Sequence, residues 1–159
     1  MERTCLFPGT FDPLTLGHVD IINRALPLFD KIVVAVGINS AKAPMFSAEQ
    51  RLLWIQKIYE HEPKVEGAMY EGLTIDYCKK VNAQFILRGI RYVSDFEYEK
   101  TIADANRAMD KDIETIFLTG EPKYTSVAST IVRDILRNYG DASPFLPAIV
   151  IESLKHRHN

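Results

Sequence analysis

Residues 4–29 read TCLFPGTFDPLTLGHVDIINRALPLF. Thr4 to Phe7 form a short apolar run with strand character. A turn-rich segment follows, holding Pro8, Gly9, Thr10, Pro13, Thr15 and Gly17, and from His18 onward apolar residues return with helical spacing. Val19, Ile22, Leu26 and Phe29 fall at i, i+3, i+7 and i+10, one face of a 3.6-residue period, and Pro27 predicts a kink or an early end. A strand that passes through such a turn into a helix is the first half of a βα unit, and its continuation decides the fold.

The continuation repeats it. KIVVAVGI precedes SAEQRLLWIQKIYEH, VEGAMY precedes TIDYCKKVN, AQFILRG precedes SDFEYEKTIADANRAM, and IETIFLT precedes SVASTIVRDILRNYG. Five strand-then-helix units predict an α/β fold, an open five-stranded parallel sheet with helices on both faces. Ser47 with Gln50, and Ser94 with Glu97, have capping-box spacing for the second and fourth helices. Gly140 reads as the C′ stop of the fifth, and SPFLPAIVIESLKHRHN as a turn and a short helix packing on the sheet or on another subunit.

The 159 residues, 47% of them hydrophobic, suit one domain over 1–159. Nineteen Lys and Arg against 21 Asp and Glu leave a formal charge of −2, which offers no broad footprint for nucleic acid or an anionic membrane. Any anion must be held by a local site. Cys5 and Cys78 lack Cys-x-x-Cys spacing and read as buried, reduced packing residues. No apolar signal region opens the chain and no run approaches a membrane span, so a cytoplasmic location is expected.

In open parallel sheets, ligands sit beyond the carboxyl ends of the strands, where the strand order reverses. Along that edge the sequence places Gly9, Thr10 and the run to His18, then Asn39, Ser40 and Lys42, then Gly72 and Thr74, then Arg88, Gly89 and Arg91, and finally Lys123, Tyr124, Thr125, Ser126, Ser129 and Thr130. Gly9 permits a close backbone approach to a ligand, Gly89 a sharp exit from its strand, and Thr10 adds a hydroxyl and an amide. His18, at a helix start where free N–H groups favour anions, is placed to touch phosphate or else to cap the helix. Arg88 and Arg91 present guanidinium forks suited to phosphate, or pair with acidic neighbours such as Asp95 or Glu97. The hydroxyls of YTSVAST cluster at a helix N-terminus, in numbers beyond what capping needs. Glu99 reads from pattern alone as part of a solvated acidic face. His61, His156 and His158 read as solvated, and no metal-ligand cluster is apparent.

There is no P-loop, no Gly-x-Gly-x-x-Gly, no Gly-x-Ser-x-Gly elbow and no plausible cysteine nucleophile. Residues PGTFDPLTLGH instead resemble the first motif of the nucleotidyltransferase superfamily marked by His/Thr-x-Gly-His, with Thr15-Leu16-Gly17-His18 as its Thr form. KAPMF, LRGIRYVSDFEYE and SVASTIVRD then resemble, in order and at similar spacing, the phosphopantetheine adenylyltransferases of coenzyme A synthesis, over about residues 4 to 147.

The resemblance implies a Rossmann-like nucleotidyltransferase fold. It also implies transfer of the adenylyl group of ATP to 4′-phosphopantetheine, which gives dephospho-coenzyme A and pyrophosphate. By the same resemblance His18 contacts ATP and stabilises the transition state. Thr10 and Phe11 lie at the nucleotide, and Thr10 also touches the second substrate. Lys42, Thr74 and Arg88 bind phosphopantetheine, while Gly89, Ile90, Arg91, Glu99, Tyr124, Thr125, Ser126, Val127, Ala128, Ser129 and Thr130 line the ATP site. Magnesium dependence, a homohexamer built as two trimers and inhibition by coenzyme A are implied too.

One departure stands out. The family commonly has serine where this chain has Ala128, so one hydroxyl is missing while the backbone amide remains. Two rivals stay open on the residues themselves. A nicotinamide-mononucleotide adenylyltransferase or a cytidylyltransferase shares the first motif and fold, and a non-catalytic adenine-nucleotide sensor needs only the phosphate grips.

Overall fold

A computed structural model describes residues 1–158. The five expected units are all present: β1 (Thr4–Gly9) with α1 (Leu16–Ala25), β2 (Lys31–Gly37) with α2 (Ala48–Ile58), β3 (Val65–Tyr70) with α3 (Thr74–Lys80), β4 (Phe85–Ile90) with α4 (Val93–Met109), and β5 (Glu114–Thr119) with α5 (Ser129–Arg137). A further helix, α6 (Ala148–Lys155), follows. The strands form one parallel sheet in the order β3-β2-β1-β4-β5. The chain builds outward from β1 to β3 and then crosses back to β4, which makes the β1/β4 boundary the switch point.

Both sheet faces are buried, and side-chain alternation divides the core accordingly. Cys5, Phe7, Ile32, Val34 and Leu87 pack with Ile21, Ile22 and Ala25 of α1 and Ile55 of α2. Leu6, Val33, Ala35 and Ile86 pack on the opposite face with Ile75 and Cys78 of α3. Both cysteines are buried, and burial pushes their thiols up, to about 12 for Cys5 and about 11 for Cys78.

Some local expectations hold and others change. Helix α1 ends early, at Ala25, before Pro27, so Phe29 reaches the same core from outside the helix. Ser47 caps α2 by accepting from the Gln50 N–H. Ser94 does not cap α4: Tyr92 holds that position, and the Asp95 carboxylate reaches back to the N–H groups of Arg91 and Tyr92. The left-handed residue after α5 is Tyr139 (φ 59°), not Gly140. Its N–H donates to the Leu136 carbonyl and that of Gly140 to the Ile135 carbonyl, a Schellman motif. Gly140 is needed one position later than expected, since a Cβ there would lie 2.9 Å from Ile135 Cγ2. Within the chain, helix α6 packs not on the sheet but on a separate cluster of Phe46, Trp54 and Val132, with Arg157 over the Phe46 ring.

Candidate active site

The loops after β1, β2, β4 and β5 enclose a cleft of about 880 Å³ at the carboxyl edge of the sheet. Thr10, Phe11, His18, Lys42, Arg88, Gly89, Ile90, Arg91, Glu99, Tyr124, Val127, Ala128, Ser129 and Thr130 all line it. A second cleft, of about 660 Å³, contains Tyr70, Thr74, Ile102 and Asn106 and shares Thr10, Arg88 and Glu99 with the first. Thr10 and Arg88 therefore stand at the seam of a two-part site, with Lys42 on the first side and Thr74 on the second. Thr125 and Ser126 form the turn behind the edge and line neither cleft.

His18 is fixed from both sides. Thr15 caps α1, its Oγ1 accepting from the His18 N–H, while its own backbone N–H donates to His18 Nδ1 at 3.0 Å. A backbone N–H can only donate, so Nδ1 is unprotonated and the ring proton sits on Nε2. Phe11 packs edge-on beneath the imidazole, with centroids 4.9 Å apart. Burial, then the positive charges of Arg88 and Arg91, push the His18 pKa down to about 4. At neutral pH the residue is a neutral Nε2–H donor. Helix cap and cleft residue thus prove to be the same arrangement.

The glycines serve a different purpose from the one expected. A Cβ on Gly9 would lie 2.9 Å from the Phe11 ring, so Gly9 makes room for Phe11, itself held at φ 50°. Gly89 lies inside β4 rather than at a sharp exit, and a Cβ would stand 3.1 Å from Ile21 of α1. Small residues here bring α1, and with it His18, close against the strand ends.

Arg88 is gripped by Glu99 through two bonds, Nε to Oε2 at 2.9 Å and Nη2 to Oε1 at 2.6 Å, and donates from Nη1 to the Pro8 carbonyl. Of its five N–H groups, two are left for a ligand. Glu99 is therefore buried as the partner of Arg88, not part of a solvated face. Arg91 contacts Asp95 and reaches from Nη1 toward the Val127 carbonyl, tying the end of β4 to the turn before α5. Lys42 forms no ion pair among the described residues.

Ala128 is the N-cap of α5 and supplies no side-chain hydrogen bond, so the first-turn amides stay uncapped at the cleft wall. The Ser129 hydroxyl donates to the Pro13 carbonyl, and Thr130 Oγ1 accepts from Arg133.

Arg51, Arg133 and Arg137 also line the cleft and were missed by sequence reasoning. A signal existed for each. Arg51 occupies the buried stripe of α2 with Trp54 and Ile55, where an arginine is out of place, and Thr130, Arg133 and Arg137 recur at i, i+3 and i+7. Six Lys or Arg side chains thus face the cleft against three carboxylates, Asp12, Asp95 and Glu99, in a chain of net charge −2. Opposed charge is concentrated where polyanions can be held.

Comparison with known proteins agrees with this chemistry. The sequence model of the cytidylyltransferase-like family matches residues 6–135. A phosphopantetheine adenylyltransferase of Flavobacterium psychrophilum is 53% identical over 148 residues, 93% of this chain and 97% of that protein. The enzyme of the same name from Caldanaerobacter subterraneus is 44% identical, covering 98% of this chain and 97% of its own. The crystal structure of a putative nicotinate-nucleotide adenylyltransferase from Vibrio parahaemolyticus, 16% identical, superposes with a TM-score of 0.73 over 98% of this chain and 93% of that one, a likeness of fold alone.

Proposed function

This chain belongs to the cytidylyltransferase-like family and, within it, to the phosphopantetheine adenylyltransferases, and from that premise we propose how its two-part cleft transfers the adenylyl group of ATP to 4′-phosphopantetheine. The acceptor phosphate, with a second pKa near 6, is largely dianionic at neutral pH and needs no protein base. One of its oxygens attacks the α-phosphorus, the bond to the β-phosphate oxygen breaks, and pyrophosphate leaves as dephospho-coenzyme A forms. The protein's work is to hold two anions in line and to stabilise the charge that gathers on the α-phosphate oxygens.

Each side chain then has a task. His18 Nε2–H and the Thr10 hydroxyl donate to the α-phosphate. Lys42 and the two free N–H groups of Arg88 hold the acceptor phosphate at the seam, and Thr74 lies along the second cleft, where the pantetheine arm extends. Arg91 and the uncapped first turn of α5, including the amides of Ser129 and Thr130, take the β- and γ-phosphates. Glu99 acts through Arg88. The carrying observation is the Thr15-to-His18 hydrogen bond, which leaves His18 a single donor to offer a cleft rich in cations.

Magnesium fits this donor set in one way. Asp12, Asp95 and Glu99 are all engaged by amides or guanidinium groups, and the described residues contain no cluster of three or more His, Cys, Asp or Glu suited to a metal. The ion would be carried by substrate phosphates, where it neutralises charge.

Coenzyme A combines a nucleotide and a pantetheine arm, so it matches both clefts and supports product-like inhibition. Self-association, which we read as the homohexamer the resemblance implies, is supported by the apolar side chains that α4 leaves exposed, Val93 (77%) and Phe96 among them. We read the chain as one catalytic domain acting in the cytoplasm. No helix among the described residues is long and apolar enough to cross a membrane.

The test is direct. The protein is incubated with magnesium, either phosphopantetheine or nicotinamide mononucleotide, and either ATP or CTP, pyrophosphate release is followed, and the product is weighed by mass spectrometry. Dephospho-coenzyme A from ATP is expected; turnover only with CTP or with nicotinamide mononucleotide, or ATP binding without turnover, would refute the reading.

A further inference from the structure

The loop that carries Lys42 is fastened by two buried side chains to which no contact with substrate has been assigned. The Asp12 carboxylate accepts from the Met45 N–H at 2.8 Å and from the Phe46 N–H at 2.9 Å. Arg51 donates from Nε to the Phe46 carbonyl at 3.0 Å and from Nη1 to the Thr10 carbonyl at 2.8 Å. Residue 46 is thus bound at its N–H by Asp12 and at its carbonyl by Arg51, and Arg51 ties it to the backbone of Thr10. Arg133 extends the lattice, from Nη1 to the Asp12 carbonyl at 2.7 Å and from Nη2 to Thr130 Oγ1 at 3.2 Å.

Asp12 and Arg51 are each 3% exposed, yet they form no ion pair with one another. Their charges are directed at backbone groups. Burying two charges is a poor way to gain stability, because apolar side chains of similar size generally do as well. Charge-assisted hydrogen bonds are, however, short, strong and directional, which is what holding a loop at one distance from a strand end requires. The two groups so joined are Lys42, three residues before Met45, and Thr10, next but one to Asp12.

We propose that Asp12 and Arg51 are positioning residues, which set the separation of Lys42 from Thr10 and thereby of the acceptor phosphate from the α-phosphorus. The proposal rests on the roles given above to Lys42 and Thr10. A misplacement of about 1 Å at such a junction costs on the order of 100-fold in rate.

The test is steady-state kinetics, with each substrate varied in turn, on the full-length wild type, Asp12→Asn, Lys42→Ala and the double variant. The two amides donate to different oxygens of the carboxylate, and Asn replaces one oxygen by an NH2, so one anchor is lost while size is kept. Asp12→Asn is expected to lower kcat/KM for phosphopantetheine about 100-fold, and the KM for ATP should stay within about twofold. In the Lys42→Ala background the same substitution should cost less than about threefold, because the group it positions is gone. A purely structural role would instead add in full to Lys42→Ala, and that result would overturn the proposal. Should Asp12→Asn fail to give a cooperative melt, Arg51→Lys carries the same test, since an ammonium cannot span the Phe46 and Thr10 carbonyls as the guanidinium does. Wild-type protein that forms no dephospho-coenzyme A would overturn the underlying function instead, a result distinguishable at the first measurement.

Discussion

The backbone N–H of Thr15 donates to Nδ1 of His18 at 3.0 Å, and this one bond determines which nitrogen of the ring is left to donate. Because Nε2 carries the proton, His18 can stabilise an α-phosphate oxygen without gaining or losing charge. His18→Ala is expected to bind ATP with nearly unchanged affinity and to turn over roughly 100- to 1,000-fold more slowly, the usual cost of losing a donor aimed at developing charge. Calorimetric ATP titration beside kcat measures both, and a variant within about tenfold of wild type would remove His18 from the chemistry.

The same environment makes folding depend on pH. His18 titrates near 4 in the folded protein against 6.5 when unperturbed, with burial as the first cause. Between those values the unfolded chain binds more protons, so stability rises with pH through the window. The contribution is fully present above about pH 6.5, is lost progressively as pH falls, and is gone below about 4, with a ceiling of roughly 3 kcal/mol. Urea melts of wild type and His18→Gln at pH 7 and pH 4.5 isolate it: the wild type should lose more stability than the variant.

The fold was legible because it is written in local periodicity. Five apolar runs, each followed by a helical stripe, required only counting along the chain, and the sheet edge followed from the general behaviour of parallel sheets. Lys42, Arg88 and Arg91 were legible as cations at that edge, and His18 as a hydrogen-bonding group beside them. What stayed hidden depends on pairings between distant segments. Nothing near Glu99 in sequence indicates that its carboxylate closes on Arg88, and Asp12 reaches the amides of Met45 and Phe46 across 33 and 34 positions, Arg51 the Thr10 carbonyl across 41. Gly9 and Gly89 were correctly singled out, but the atoms they make room for, in Phe11 and Ile21, could only be found in three dimensions. Helix ends failed for a related reason: Ser94 and Gly140 match the usual pattern, yet Asp95 and Tyr139 won on geometry that a pattern does not weigh.

Metal removal separates chemistry from folding. With every cleft carboxylate already engaged, the proposed magnesium would arrive with phosphate and form no part of the apo fold. EDTA should abolish turnover and leave the melting temperature of substrate-free protein unchanged, and added magnesium should restore activity at once. A melting temperature that falls with EDTA would reveal a structural metal.

Ala128 leaves the N-terminus of α5 without a side-chain cap. Ala128→Ser supplies one, and a serine N-cap is worth about 1 kcal/mol over alanine. The variant is expected to melt higher in the absence of ligand. If the first-turn amides hold the β- and γ-phosphates, the gain should shrink when ATP is present, because phosphate already occupies those donors in the bound state. Thermal melts with and without ATP measure the difference. An equal gain in both conditions would place the phosphates elsewhere.

At the other end of the same helix, Tyr139 sits at φ 59° with its ring 91% exposed, and the Schellman bonds from Tyr139 and Gly140 close the helix around it. A left-handed backbone costs a residue bearing a Cβ about 1–2 kcal/mol, and the exposed ring recovers little of this by packing. Tyr139→Gly removes the clash, although glycine loses more backbone freedom on folding, so a net gain of about 0.5–1 kcal/mol is expected. Urea unfolding at pH 7 measures it, with kcat unchanged because Tyr139 lines neither cleft. A loss of stability instead would mean that the ring is buried against another copy of the chain. Sedimentation of the variant decides that point, since a disrupted assembly would sediment as a smaller species.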